Sequence, residues 1–145
     1  MAITREHLFT TAWSLIFNLI NDNVTDPTGK TKWLYSSLPD FKIKSDSNYP
    51  LIVIPNLNAS DSIISINMDD TELRFTIEVY ALSSLQLDEI CENIYETIKS
   101  KTNELATSGL FYVKNISSSH SPIERDGSKL HLSVMEFSGK FAHSR

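Results

Sequence analysis

The residue types best suited to chemistry in this chain are four histidines and one cysteine. The histidines are His7, His120, His131 and His143, and no two of them have the HxxxH or HExxH spacing of a helical zinc site. Cys91 is the only cysteine, so neither a cysteine-rich metal site nor an internal disulfide can form. We therefore expect no metal centre and no cofactor.

Two pairs of adjacent carboxylates could serve acid–base chemistry or bind a cation. Asp69-Asp70 lies just before an alternating segment, and two aspartates in this position are typical of a turn. Asp88-Glu89 falls in the first turn of a predicted helix, where negative charge complements the helix dipole. Both pairs are thus expected to be structural.

Ser118, Ser119, His120 and Asp126 lie together in one polar segment and include the residue types of a nucleophile, a base and an acid. No GxSxG motif accompanies them, and four glycines cannot build a phosphate-binding loop. The chain is therefore not expected to be an enzyme. An enzyme that uses His131 or the 118–126 segment stays open as the least favoured of three hypotheses.

The clearest structural signal is an alternating segment, 72–81, that leads directly into an amphipathic helix. One set of residues is apolar and predicts a buried strand face; the interleaved set predicts a face toward solvent or a partner. Ser83, with Gln86 three residues later, has the spacing of a helix-capping box. The buried set is Leu73, Phe75, Ile77, Val79 and Ala81, the interleaved set Glu72, Arg74, Thr76, Glu78 and Tyr80, and the helical stripe Leu87, Ile90, Cys91, Ile94, Tyr95 and Ile98.

The N-terminal third predicts one further helix and two short strands. Thr4 is a candidate cap for a helix that reaches about Asn21 and is apolar around much of its circumference. Asp26-Pro27 and Gly29 then indicate a turn. Residues 31–48 are interpreted as a short strand and a loop with aromatic anchors. Residues 49–57, led by Tyr-Pro, are interpreted as a strand, and Pro55 indicates either the end of that strand or an edge position.

The remaining segments predict strands connected by hairpins. Residues 63–81 are expected to form one hairpin, and two later strands, 110–117 and 129–141, to flank a polar loop. Gly139 is a candidate bulge or bend. The fold class is α+β: one domain, 1–145, with an antiparallel or mixed sheet of about four to five strands and two main helices packed on one face.

Composition narrows the class of function. The chain has 145 residues, 41% of them apolar and 21% charged, with a net charge of −5, which argues against a free-standing nucleic-acid binder. No apolar run is long enough to span a bilayer, and the N-terminus lacks the features of a signal peptide. We expect a soluble intracellular protein that does not act at a membrane.

The order and spacing of these segments resemble the tail terminator, or tail completion, proteins of long-tailed bacteriophages. The resemblance covers most of the chain, from about Leu8 to Phe141. It rests on the short N-terminal helix and aromatic loop, the strand YPLIVIPNL, the strand ELRFTIEVYALSS followed at once by its helix, and the closing strand LHLSVMEFSGKF. Residues 31–48 have no clear counterpart in that family.

The resemblance implies a virion structural protein that acts at the head–tail junction. Such a protein forms a ring, expected to be hexameric, that caps the tail tube, stops its polymerisation and receives the head connector while DNA passes through the lumen. The implied partners are further copies of the chain, the tail tube protein and the head connector or head completion protein. The implied location is the tail or neck of the virion, reached from the host cytoplasm.

The resemblance also suggests which residues make contacts. Candidate subunit-interface residues are Glu72, Arg74, Glu78, Tyr80 and His131, and candidate partner-contacting loop residues are Asp26, Lys30, Lys32, His120, Glu124 and Arg125. Another neck or tail completion protein would share this architecture. A small α+β binding module is the remaining alternative, with a pocket lined by Trp13, Phe17, Phe75 or Tyr95.

Overall fold

The computed structural model describes residues 3–4, 8–55, 70–125 and 127–144, with side chains over 12–55, 73–125 and 127–140. Its elements, in chain order, are β1 (Ile3–Thr4), α1 (Leu8–Asn23), β2 (Leu34–Tyr35), a 3-10 turn (Asp46–Asn48), β3 (Leu51–Val53), β4 (Asp70–Ala81), α2 (Ser84–Ser100), α3 (Thr102–Thr107), β5 (Leu110–Arg125) and β6 (Ser128–Ser144).

The described strands form one mixed sheet in the order β2-β3-β4-β6-β5, and β1 pairs with the end of β6. The β3–β4, β4–β6 and β5–β6 pairs are antiparallel, and the β2–β3 pair is parallel. Side chains of α1, α2 and α3 pack with one face of this sheet in the main core. The predicted α+β class, with a mixed sheet and two main helices on one face, is confirmed.

The β4–α2 unit forms as its sequence predicts. The alternate residues of β4 from Leu73 to Ala81 are each no more than 3% exposed. The Ser83 hydroxyl accepts a hydrogen bond from the Gln86 backbone N–H at 3.2 Å, which caps α2 and satisfies a donor with no partner in the helix. The stripe on α2 is buried except at its margin, where Tyr95 is 44% exposed.

The long strand β6 sets the register of the sheet against β4. Phe75 lies opposite Phe137, and the two rings stack with centroids 5.2 Å apart and planes 9° from parallel. A slip of one residue would turn every apolar side chain of β4 to the other face. The stacked pair therefore helps fix which residues enter the core.

A second, smaller core covers the face of the sheet that points away from the helices. It joins Tyr49, Leu51, Val53, Tyr80 and Leu130, with Phe41 of the 36–49 loop packed against it. Tyr80 is only 6% exposed. The expectation that Tyr80 faces solvent is wrong, because the 36–49 loop, which we call the aromatic loop, folds back over this end of the face.

Two further predictions about elements are wrong, and a third falls mainly on residues outside the described ranges. The polar loop expected at 117–128 is wrong, because β5 continues to Arg125 and a two-residue connection, 126–127, leads into β6. Thr4 lies in β1 and does not cap α1, which begins at Leu8. Residues 56–69, which include most of the first arm of the predicted 63–81 hairpin, lie outside the described residues, and Asp70 is already in β4.

The irregularity expected at Gly139 lies in the strand opposite it. Two residues of β5, Tyr112 and Val113, occupy the interval that faces Gly139, so the bulge belongs to β5. A Cβ atom on Gly139 would lie 2.7 Å from Leu110 Cδ1 and 3.3 Å from Val113 Cγ2. Any larger residue at 139 would therefore require the Leu110 and Val113 side chains, which fill this space, to shift.

Phe75→Ala should lower the free energy of unfolding by about 3–5 kcal/mol, because it removes a buried ring and leaves a cavity against Phe137. Urea denaturation followed by tryptophan fluorescence measures the loss. Thr76→Ala, on the opposite face of the same strand, is the matched control and should change stability far less. Equal midpoints for the two variants would contradict the assigned faces of β4.

Candidate interaction surfaces

The most exposed part of the sheet is the outer strand β5. Every residue from Ser117 to Pro122 is exposed, and successive residues of a strand point to opposite faces. We call 117–122 the serine edge. Neither of its faces is covered, and among the described residues no strand pairs with its outer side. It is held mainly by backbone pairing with β6 and leaves three sides open to a partner.

Pro122 fits this strand because of the direction in which its nitrogen points. A two-residue hairpin connection is normally closed by a hydrogen-bonded pair, here Arg125 and Ser128, and bonded and non-bonded pairs then alternate along the ladder. By this alternation Pro122, opposite His131, falls in a non-bonded pair, where its nitrogen points to the outer edge. The missing N–H therefore costs no ladder hydrogen bond, which is where proline is tolerated in sheets.

A basic cleft lies beside the β5 bulge, at the start of the strand. Its volume is about 520 Å³, and it is lined by Tyr112, Lys114, Ser138, Gly139 and Lys140. Tyr112 has a φ of 56°, which is unusual for a residue with a side chain, and is 81% exposed. The bulge thus presents an aromatic ring outward beside two lysines.

An aromatic cleft lies at the opposite edge of the sheet, between α1 and β2. Its volume is about 380 Å³, and its lining includes Trp13, Phe17, Lys32 and Tyr35. Trp13 stacks on Phe17 with centroids 4.7 Å apart and donates its indole N–H to the Ile54 carbonyl at 2.8 Å. The cleft is therefore lined by side chains that are already fixed in place.

The residues proposed for a ligand pocket do not share one cavity. Trp13 and Phe17 line the aromatic cleft, whereas Phe75 is 3% exposed in the main core. Tyr95 lines a separate cleft of about 300 Å³ between α2 and β5. If the chain is a binding module, the aromatic cleft is the candidate ligand site, because it holds two of the four residues proposed for the pocket.

The predicted interface residues fall on both faces of the sheet. Arg74 is 52% exposed, with a guanidinium nitrogen 3.7 Å from the Glu136 carboxylate, on the face away from the helices. Glu78 is half-buried on that face and accepts a hydrogen bond from the Tyr80 hydroxyl at 2.9 Å. His131 lies on the helix side, since its register partner Ala81 belongs to the main core. The Glu72 side chain lies outside the described side chains.

Tyr80 is a structural residue of the second core as well as a predicted contact. Burial, together with the neighbouring Glu78 carboxylate, raises the pKa of the Tyr80 phenol, so it stays protonated and can donate. Because little of the Tyr80 side chain is exposed, it could contribute only a small contact area to another subunit. Arg74 and Glu78 remain the accessible members of the predicted set on that face.

The predicted contact residues on the first loop behave differently from one another. Asp26 is 4% exposed and accepts hydrogen bonds from the backbone N–H groups of Thr28 and Lys30. Lys30 Nζ lies 2.8 Å from Asp26 Oδ2. Lys32 is exposed, and its Nζ atom lies 5.3 Å from the centre of the Tyr35 ring. Asp26 therefore organises the loop from inside, and Lys32 is available at its surface.

The predicted contact residues on β5 also include both exposed residues and one residue that holds another segment in place. His120 and Glu124 are exposed. Arg125 is half-buried and donates to the Pro39 carbonyl at 2.6 Å and to the Tyr49 hydroxyl at 3.2 Å. Ser128, at the start of β6, donates to the Asp46 carboxylate. These contacts attach the aromatic loop to the end of the β5–β6 hairpin.

In the described part of the chain, Ser118 and His120 do not form a nucleophile–base pair. Ser118 donates to the Asn115 amide oxygen at 3.3 Å, and His120 Nε2 lies 3.3 Å from His131 Nδ1. Burial raises the pKa of the Cys91 thiol, which packs against the main core. That thiol is therefore protonated and unreactive at neutral pH.

Comparison with known proteins leaves the family open. No family model matches the chain, and no curated protein matches it. Among solved structures, a chain from "Virion of native gene transfer agent (GTA) particle" is similar over 89% of this chain and 85% of that chain, with 8% identity and a TM-score of 0.44. At this score the likeness establishes neither family nor function. None of the described helices combines the length and apolar character needed to cross a membrane.

Asp26→Ala should lower the free energy of unfolding by about 1–3 kcal/mol, because the backbone N–H groups of Thr28 and Lys30 lose the buried carboxylate that accepts their hydrogen bonds. The Asp40–Lys44 pair has the same spacing but an exposed carboxylate, so Asp40→Ala is the matched control and should have little effect. Urea unfolding of both variants and wild type measures the difference. Equal losses would contradict the buried role of Asp26.

The effect of Asp26 should also depend on pH. Burial alone would raise the pKa of this carboxyl, but hydrogen bonds from Lys30 and Thr28 and the charge of Lys30 outweigh it and hold the pKa below the usual value of 3.8. The stability that the ionised group contributes is thus complete at neutral pH and lost as the pH falls through its folded pKa. The gap between wild type and Asp26→Ala should therefore stay constant from about pH 7 to 5 and shrink below about pH 4.

Proposed function

We propose that this chain is a structural protein of a phage-type virion, and specifically a tail terminator that forms a ring, expected to be hexameric, on the end of the tail tube. The observation that carries the proposal is the serine edge. A strand that buries neither face gains little from its own fold, so its exposed length is best explained as a contact for another protein. The resemblance of the segment order to tail terminators supplies the specific role.

The chemistry of the described residues favours assembly over catalysis. Asp26, Arg125 and Glu78 each have partners that serve loop or core structure. Among the large exposed side chains, Tyr112 and Ile116 lie on β5, and Arg74 lies on the face of the sheet away from the helices. We therefore propose a protein that acts through its surfaces and is not an enzyme.

In such a ring, two surfaces would contact neighbouring subunits: the serine edge and the part of the sheet near Arg74 that faces away from the helices. Exposed charges of mixed sign on that face, Arg74 and Glu136, fix orientation more than they add affinity. The ring would cap the tube protein on one side and receive the head connector on the other. The net charge of −5 suits a lumen through which DNA passes without being retained.

The mass of the purified chain in solution tests the ring. Light scattering over a concentration series should give particles near six times 16.4 kDa, and negative-stain images of the same sample should show an open centre. If the ring forms only on a template, addition of tail tubes should produce capped tube ends. A chain that stays monomeric and leaves tube ends uncapped would contradict the proposal.

Arg74→Glu should weaken ring formation while the monomer keeps its fold, because it reverses an exposed charge on the proposed contact face. Lys99→Glu makes the same charge change on the exposed side of α2 and is the matched control. Sedimentation velocity gives the oligomer distribution, and circular dichroism gives the fold. Rings of wild-type stability from Arg74→Glu would remove Arg74 from the interface.

The aromatic cleft supports a second candidate function, a small binding module for an apolar ligand. The stacked Trp13 and Phe17 rings, with Lys32 and Tyr35 beside them, would accept a flat apolar group with a negative substituent. Quenching of tryptophan fluorescence by such a ligand, lost in Phe17→Ala, would favour this candidate.

A further inference from the structure

We propose that His120 and His131 together bind one divalent transition-metal ion, of which zinc, nickel and copper are the candidates. The two side chains come from neighbouring strands of the β5–β6 hairpin. Their register partners, Ser133 for His120 and Pro122 for His131, place them diagonally on the side of the sheet that faces the helices. This site is independent of the ring proposal.

The distance between the two ring nitrogens is the first observation. His120 Nε2 lies 3.3 Å from His131 Nδ1, and the rings are tilted 70° to each other with centroids 5.4 Å apart. Zinc–nitrogen bonds are about 2.0–2.1 Å long. Two such bonds that end on nitrogens this far apart enclose an angle of about 105–110°, close to the tetrahedral value. The pair therefore has the right spacing for an ion without movement of the backbone.

The accessibility of the pair is the second observation. His120 is exposed and His131 is half-buried, so an ion can reach the nitrogens from solvent. Among the described residues, no cluster of three or more histidines, cysteines and carboxylates occurs, so the protein supplies two ligands. Water completes the coordination, and the open positions are free to accept a ligand from another molecule.

The donor chemistry decides which ions bind. Imidazole nitrogens suit zinc, copper and nickel, whereas magnesium and calcium require oxygen ligands. Without metal, one neutral ring donates a hydrogen bond to the other. When the ion binds, that ring moves its proton to its second nitrogen, so both facing nitrogens present lone pairs and no net proton is released.

The position of the site gives the ion a structural effect. The serine edge gains little stability from side-chain burial and is held to β6 mainly by backbone pairing. A metal that joins His120 to His131 adds a cross-strand link at this place. Bound metal should therefore stabilise the outer strand against opening.

The test is calorimetric titration of the untagged full chain with zinc chloride, with nickel chloride in parallel. Wild type should bind one ion per chain. His120→Ala and His131→Ala should each weaken binding about a hundredfold, because the loss of one tethered ligand removes the chelate. Ser119→Ala, on the opposite face of the same strand, should bind as wild type does. Magnesium chloride should give no binding heat.

A second readout assigns the ligand atoms. Imidazole nitrogen NMR should show metal-dependent shifts at Nε2 of His120 and Nδ1 of His131, and amide hydrogen exchange should slow within residues 117–121 when zinc is present. The proposal is overturned if either alanine variant binds zinc as tightly as wild type. It is also overturned if the shifts occur at His7 or His143 instead, or if wild type binds neither ion.

Discussion

The register of β6 against its two neighbours is the constraint on which the rest of the structure depends. β6 pairs with β4 from Ala142 to His131 and with β5 along nearly all of its length. The stacked Phe75 and Phe137 rings tie that register to the main core, so one side of the sheet is committed to the helices. The opposite side and the outer strand are the parts of the sheet that stay available for other contacts.

The second core divides that opposite side into two regions of different character. At one end the aromatic loop is held over the sheet by Arg125, which bonds to Pro39 and Tyr49, so the surface there belongs to the chain itself. At the other end Arg74 and the basic cleft remain accessible. A partner would therefore approach the second region and the adjoining edge of β5, which limits how two copies can face each other.

The sequence predicts the β4–α2 unit well because each level of the signal agrees there. Alternation, the Ser83 cap and the helical stripe all indicate the same structure, and the packing follows. It predicts the first half of β5 and fails over 118–125, because a strand segment that is exposed on both faces has no alternation to detect. Its serines and Pro122 are typical of a loop, and only pairing with β6 makes them a strand.

The surface residues were harder to predict because solvent exposure depends on contacts between distant segments. Tyr80 belongs to the polar set of β4 by period, and nothing local indicates that the 36–49 loop returns to cover it. Asp26 has the position of a surface turn residue, but it points inward to bond Thr28 and Lys30. The meeting of His120 with His131 depends on register, which residue spacing along the chain cannot reveal.

Pro122 has a consequence for how the protein behaves at high concentration. An open strand edge is a template onto which strands of other molecules can add, and repeated addition leads to fibrils. In β5 the irregular pairing around 112–116 and the missing donor at Pro122 leave an uninterrupted stretch of only Ser117–Ser121. A strand that pairs with this stretch can form regular hydrogen bonds with only these five residues. The exposed edge can thus serve a finite contact while the chain is protected from aggregation.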